Sequence, residues 1–453
     1  MNSDRQQAYL NLINQLLNSP SGEEAQILKT HPELLDDGLV VAMLEEAERL
    51  REFGELNNAN RLMNFAGIML GINDNTSVAV IRKAEADRLF EQGIQQSKIS
   101  QFREALQSGE QALSIYRKIG NRQGESDSLR SVGIDYNSLK DYHKAIDFLE
   151  QSLEISREIG YRQGEAGSLT NLGNAYKSLG QYHRAIEFHE QSLEISREIG
   201  YRQGEAGSLT NLGNAYDSLG QYHRAIAFHE QSLEISREIG YRQGEDASLT
   251  NLGNAYKSLR KYHRARKFYE QSLVISREIG DREGEAISLN SLGNVYDSIR
   301  QYHKARKFHQ QSLVISREIG NRTGEASCLR SMGCAYYNLG DFHNAIEFFA
   351  QSLEISREIG ERAEESCTLQ NIGCTLLRVN LLTESEKALR ASIIIYETMR
   401  SELVSNDHKA SIFEIQLSSY KNLQKVLVAQ SKFVRIQVKN SSLRAKKYGN
   451  VMR

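Results

Sequence analysis

Histidines recur at a fixed interval of forty residues in the middle of this chain. They are His143, His183, His223, His263, His303 and His343. Imidazole nitrogen is a common zinc ligand, so a regular row of histidines suggests a metal site. One ion needs its donors within about 2.1 Å, whereas side chains that repeat once per packed helical hairpin lie about 10 Å apart. The pattern therefore favours exposed or half-packed histidines, and we expect no metal and no other cofactor.

The cysteines could form disulfides, and all of them lie in one stretch of the chain. They are Cys328, Cys334, Cys367 and Cys374. Cys334 and Cys374 occupy equivalent places in neighbouring repeats, and a disulfide requires Cα atoms closer than about 7 Å, less than the expected distance between repeats. Cysteine is also too sparse for a secreted disulfide scaffold. We expect buried or half-buried free thiols in a reducing cytoplasm.

Residues 160–165 belong to a recurring Gly-x-Arg-x-Gly-Glu run that superficially resembles a phosphate loop. A phosphate-binding loop follows a strand, and the sequence contains no strand pattern. The runs recur where predicted helices connect, which indicates a structural role. No acid, base and nucleophile converge in the pattern, so we expect a protein that is not an enzyme.

Asparagines and threonines form the most informative polar set, because they repeat on the first predicted helix of each unit. Residues three and four apart share a helix face, so stacked units would place them along one groove. An asparagine side chain both donates and accepts hydrogen bonds, so a row of them can pair with an extended peptide backbone. The predicted groove residues are Thr170, Asn171, Asn174, Lys177, Thr210, Asn211, Asn214, Asp217, Thr250, Asn251, Asn254, Lys257 and Asn294.

A second interpretation of the same set stays open, in which the asparagines hydrogen-bond between adjacent helices and hold the stack together. The two roles are compatible with each other. Under the first interpretation, side chains that vary between repeats would select the partner, notably Lys177, Asp217, Lys257 and Asp297.

The charge balance gives no general attraction to nucleic acid or to a membrane surface. The chain has 56 Lys and Arg against 58 Asp and Glu. No apolar run approaches the ~20 residues that span a bilayer, and the N-terminus lacks a basic segment followed by an apolar one. We therefore expect a cytoplasmic protein whose partner is a protein or peptide. Only residues 432–453, with seven Lys or Arg and no acidic residue, give a weak reason to consider nucleic acid.

An internal repeat determines the predicted fold. Residues 161–200 and 201–240 differ only at Lys177 against Asp217 and at Glu187 against Ala227. Within one unit apolar residues recur at helical spacing, stop at a glycine, and then resume. Duplicated helical hairpins that each leave an apolar face open bury it by stacking on one another.

The repeat resembles the tetratricopeptide motif, on the strength of Leu169, Leu172, Gly173, Tyr176, Ala185 and His189. Leucine replaces the first tryptophan of the motif, and Arg197 replaces its closing proline. Loss of that proline lets the second helix continue and lengthens the period to forty residues. We expect Gly173 and Ala185 to face each other within the hairpin, because larger side chains would push the helices apart.

The resemblance implies an all-α, right-handed superhelical solenoid of helical hairpins. It also implies that the repeated asparagines line its concave side. We expect a helical N-terminal domain at 1–72, eight units at 81–399, a capping helix at 400–431 and a basic, flexible tail at 432–453.

The chain also resembles the tetratricopeptide portion of cyanobacterial-type proteins that end in a caspase-like CHAT protease domain. The leader at 7–13 with 20–24, and the segments 396–397 and 409–420, carry this resemblance. The sequence becomes basic after Phe433 and stops at Arg453, so no catalytic residue can be transferred to it. The function expected is a protein-interaction scaffold. The alternative is the sensor half of a CHAT-type protease system whose effector is lost or separately encoded, and self-association is a further possibility.

Overall fold

The computed structural model describes residues 3–20, 23–69, 77–402 and 416–432, and within these residues every regular element is helical. The chain divides into two compact units, one up to Asn171 and one from Leu172. The boundary falls inside a helix of the repeat region. This architecture confirms the predicted all-α fold of successive helical hairpins.

The first unit begins with a small helical bundle. Its elements are α1 (Ser3–Asn18), α2 (Glu24–Lys29), a 3-10 turn (Pro32–Leu34), α3 (Asp37–Glu52) and α4 (Leu56–Met69). Tyr9, Leu16, Met43 and Leu62 are fully buried at its centre. The Tyr9 hydroxyl donates to the carboxylate of Asp36, which fixes the start of α3 on α1.

Eight helical hairpins follow, and we call the first helix of each hairpin A and the second B. The A helices are α5 (Ser77–Lys98), α7 (Arg122–Ser138), α9 (Arg162–Ser178), α11 (Arg202–Ser218), α13 (Arg242–Ser258), α15 (Arg282–Ser298), α17 (Arg322–Leu339) and α19 (Arg362–Arg378). The B helices are α6 (Phe102–Lys118), α8 (Tyr142–Glu158), α10 (Tyr182–Glu198), α12 (Tyr222–Glu238), α14 (Tyr262–Ile279), α16 (Tyr302–Glu318), α18 (Phe342–Glu358) and α20 (Leu382–Glu402). A last helix, α21, covers 416–432.

Helix α21 packs Leu423 and Val426 against Leu389 and Ile393 of α20. The expected role of this helix as a cap at the end of the repeats stays a prediction. The linker predicted between the N-terminal domain and the repeats, the start of the capping helix and the basic tail lie largely outside the described residues.

The turns use left-handed backbone, as the recurring glycines predict. Gly200, Gly240 and Gly320 have φ between 66° and 70°. Side chains cap several helix N-termini, since Asp281 accepts from the Gly284 N–H at 2.9 Å and Asp141 accepts from the Lys144 N–H. Asn121, Asn321 and Asp341 cap their helices in the same way. Gln181, at the position equivalent to Asp141, makes no such bond, because its extra methylene carries the amide past the first-turn N–H groups.

The core of each hairpin combines a small residue with a large one. Gly253 of α13 lies against the Tyr269 ring, and an added Cβ would stand 2.5 Å from Tyr269 Cε1. The predicted pairing of Gly173 with Ala185 needs correction, since the nearest side chain to Gly173 is that of His189. His189 lies one helical turn beyond Ala185, and its ring reaches back over the glycine.

Buried hydroxyls join the B helix of one repeat to the A helix of the next. Ser272 Oγ lies 2.7 Å from Ser288 Oγ, and Ser312 Oγ lies 3.0 Å from Cys328 Sγ. All four side chains are buried. This row shows that part of the interface between repeats is polar and internally satisfied.

The Gly-x-Arg-x-Gly-Glu runs form ion pairs that link successive repeats. Glu285 is buried between Arg277 Nε at 2.8 Å and Arg282 Nη1 at 2.5 Å, and Arg282 also contacts Glu318 of the following B helix. Burial would raise the pKa of the Glu285 carboxyl, but the hydrogen bonds from Arg277 and Arg282 outweigh it and hold the pKa below its usual value. The motif is structural, as its recurrence predicts.

Candidate partner-binding surface

The predicted groove residues all lie on A helices and all are half-buried. Thr170 and Asn171 belong to the first unit, and the others belong to the second. The opposite face of each A helix is buried in the hairpin, as Leu209, Leu212 and Gly213 are in α11. The side chains of this polar face therefore keep some contact with solvent.

Consecutive A helices in the second unit contact one another, from α11 to α13, α15, α17 and α19. Consecutive A helices therefore lie side by side in this unit. Within this unit the predicted residues Asn211, Asn214, Asn251, Asn254 and Asn294 lie on neighbouring helices.

The threonines of the set form bonds within the hairpins. Thr210 Oγ1 lies 2.8 Å from Ser232 Oγ, and Thr250 Oγ1 lies 2.9 Å from Ser272 Oγ. These bonds join the A and B helices of one hairpin. Thr210 and Thr250 therefore help to hold the two helices of their hairpins together.

The charged positions of the set split into two kinds. Asp217 Oδ2 lies 3.3 Å from Nε2 of the fully buried His229, so this carboxylate is engaged inside the hairpin. The equivalent positions Lys177 and Lys257 have no ion-pair partner in the described part of the chain. Burial lowers the pKa of both lysines, because it removes water from the ammonium group.

The asparagine amides are mostly unused by the protein itself. Asn254 accepts a hydrogen bond from the Tyr269 hydroxyl at 2.7 Å, and Asn171 donates to the Gly167 carbonyl at 3.0 Å. The side chains of five others make no hydrogen bond to any described residue, and these are Asn174, Asn211, Asn214, Asn251 and Asn294. Half-buried amides without an internal partner leave both a donor and an acceptor for a ligand.

The six recurring histidines lie away from this surface at the start of the B helices, and all are exposed. Among the residues that the structure describes, no group of three or more His, Cys, Asp or Glu could hold a metal ion. The cysteines are free, buried or half-buried, as predicted. Burial raises the pKa of the Cys334 thiol to about 11, so this side chain is protonated and unreactive near neutral pH.

A second set of histidines belongs to the core of the hairpins. His189, His229 and His309 are fully buried beneath the A-helix glycines, where Tyr269 and Phe349 stand in other repeats. His189 is one of the residues that carry the resemblance to the tetratricopeptide motif, so the motif located this position, whereas the complete burial of the imidazole became visible only in the structure.

Comparison with known families agrees with this geometry. The sequence model described as tetratricopeptide repeat matches residues 84–158, 164–238, 245–318 and 298–358, which together make up more than half of the chain. The chain belongs to the tetratricopeptide repeat family. A search of curated protein sequences returned no match.

Several solved structures share the fold of this tetratricopeptide array. The apo form of the quorum sensor NprR from B. thuringiensis is 18% identical with a TM-score of 0.57, over 79% of this chain and 98% of that one. A signal transduction ATPase with a tetratricopeptide repeat sensor from Pyrococcus horikoshii is 16% identical with a TM-score of 0.51, over 81% of this chain and 55% of that one. Apo RapI is 19% identical with a TM-score of 0.50, over 61% of this chain and 99% of that one.

Within residues 3–20, 23–69, 77–402 and 416–432, no helix is both long and apolar enough to cross a bilayer.

Proposed function

We propose that this protein is an interaction scaffold that binds a peptide or helical segment of a partner protein on the polar face of its A helices. The observation that supports the proposal is the row of half-buried amides without internal partners, at Asn211, Asn214, Asn251 and Asn294. A half-buried amide without a partner gives up part of its hydration and receives nothing in return. A bound peptide backbone would supply the missing donors and acceptors.

The amide row makes the proposed binding permissive, because every peptide has the same backbone groups. Selectivity then comes from Lys177 and Lys257, whose ammonium groups lack a counter-ion in the described part of the chain. A ligand carboxylate beside either lysine would favour its charged form and reverse the effect of burial on its pKa. We therefore expect a partner segment that carries acidic side chains near these lysines.

Two of the solved structures with this fold are named as a quorum sensor and as a protein with a repeat sensor. Both names describe a sensing role, and both structures share the fold of this array. This supports the proposal that the present array is a binding module, and we expect it to have no catalytic activity.

The proposal is tested with a triple variant, N214A/N251A/N294A. The partner is first isolated on the wild-type protein and identified, and its dissociation constant is then measured by calorimetry. Loss of three hydrogen bonds worth about 1 kcal/mol each should weaken binding roughly a hundredfold. Thermal unfolding of the variant should stay unchanged, because these amides hold nothing inside the protein.

The matched control is T210V/T250V, which removes hydroxyls that bond within the hairpins. This variant should lower the melting temperature and leave partner binding nearly intact. If the asparagine variant melts early and binds normally, the amides hold the stack and the proposal is wrong.

The alternative, a sensor half of a CHAT-type protease system, uses the same face and differs in the partner. Under this alternative, the isolated partner should carry a protease domain with a His and Cys dyad. Isolation of a partner without such a domain would contradict it.

A further inference from the structure

Two neighbouring B helices, α14 and α16, carry a different charge pattern from the B helices on either side. Lys267 of α14 and Lys307 of α16 occupy the position that is Glu187 in α10, Ala227 in α12 and Glu347 in α18. Arginine likewise replaces isoleucine at the preceding position of both helices. The change is confined to two consecutive members of an otherwise near-identical series.

The same two helices expose apolar side chains where their neighbours expose carboxylates. Val274 is 53% exposed and Val314 is 45% exposed. The equivalent residues are Glu194, Glu234 and Glu354. Positions three and four apart share a helix face, so on each helix the lysine and the valine lie on one exposed stripe. We call the two stripes together the outer basic stripe, which consists of Lys267, Gln271 and Val274 on α14 and of Lys307, Gln311 and Val314 on α16.

Packing does not account for the stripe. Lys267 and Lys307 form no ion pair with any described residue, and both are exposed. Helix α12 has Glu234 in place of the valine and folds in the same way, so a valine is not required there. Exposed lysines are well solvated and single exposed valines are common, so the stripe is distinguished by its confinement to two consecutive B helices and not by an energetic cost.

The surroundings of the stripe add positive charge and a concave surface. Arg260, Lys261 and Arg300 are exposed in the turns that precede α14 and α16. A cavity of ≈ 470 Å³ adjoins α14 and is lined by Lys267, Val274 and seven other residues. An apolar side chain from outside could enter it beside Val274.

We propose that the outer basic stripe binds an acidic segment of a protein partner that also carries apolar side chains. Acidic groups would complement the lysines and apolar groups would cover the valines, which together favour a protein over a nucleic acid. The stripe lies on B helices and not on the A-helix amide face, so it is a second surface.

The test uses a fluorescent synthetic peptide of alternating Glu-Glu and Leu-Leu pairs, sixteen residues long, titrated by anisotropy at about 0.15 M salt. The variant K267E/V274E/K307E/V314E should bind it at least tenfold more weakly than the wild type. It gives α14 and α16 the exposed residues that α10 already carries at Glu187 and Glu194, so it should fold normally. Circular dichroism checks this.

Three further proteins complete the test. K387E/K421E/K425E has the same change in net charge outside the stripe and should bind like the wild type. E187K/E194V/A227K/E234V transfers the stripe to α10 and α12 and should raise the number of peptides bound. N214A/N251A/N294A should bind the peptide normally, so failure of the amide-face proposal and failure of this one give different results.

The proposal would be overturned if the stripe variant bound the peptide as tightly as the wild type. It would also be overturned if the K387E/K421E/K425E control lost as much affinity as the stripe variant. A duplex DNA that binds more tightly than the peptide would also overturn it, as would a poly-glutamate peptide that binds equally well.

Discussion

His189 is a buried titratable residue whose two ring nitrogens have no hydrogen-bond partner among the described residues. Burial, with a smaller contribution from the Lys177 charge, lowers its pKa to about 3 from a usual value of 6.5. Between these two values the unfolded chain binds a proton that the folded chain does not. The free energy of unfolding should therefore fall as the pH drops from 6.5 toward 3.

The substitution H189F tests this account of the residue. Phenylalanine already fills the equivalent site as Phe349, against Gly333, so the change should fit. Removing two unsatisfied buried nitrogens should raise the free energy of unfolding by on the order of 1 kcal/mol and weaken its pH dependence by about one proton. Urea unfolding at several pH values measures both. H183F, at an exposed position, is the control, and a less stable H189F would contradict the account.

Sequence reasoning at this scale located the polar residues of the A helices but not their individual partners. Helical spacing alone places Thr210 and Asn214 on the same side. The bond from Thr210 to Ser232 depends on how the B helix packs, which no local pattern contains. The same limit applies to Asp217, whose partner His229 becomes visible only when the hairpin closes.

The turn between helices A and B shows how sequence drift costs stability within one element. Gly220 has φ 72° there, whereas Arg260 and Arg300 hold φ 57° and 61° at the equivalent positions. A left-handed backbone costs a residue with a Cβ about 1–2 kcal/mol. Glycine avoids this cost, but it loses more conformational entropy on folding, which offsets part of the advantage.

We therefore expect R260G and R300G each to raise the free energy of unfolding by roughly 0.5–1 kcal/mol. The reverse change, G220R, should lower it by a similar amount. Chemical denaturation of the three variants under one buffer condition measures the differences. A G220R protein as stable as the wild type would show that the turn carries no such strain.

At the scale of the whole molecule, the forty-residue period predicted the helical hairpins because every unit repeats its own start and stop signals. The buried serines between repeats and the ion pair of Arg282 with Glu318 within one hairpin were not predicted, since each joins residues more than fifteen positions apart and depends on how the helices stack. The amide face depends on the same stacking, since it needs like residues of α11, α13 and α15 on one side.

We expect the partner to bind this A-helix face and not the face of helix α12 that exposes Glu230 and Glu234. A photo-crosslinking amino acid at position 251 on α13 tests it against the same group at the exposed position 231 on α12. The account predicts that the isolated partner crosslinks from 251 and not from 231. Crosslinking from 231 with none from 251 would contradict it.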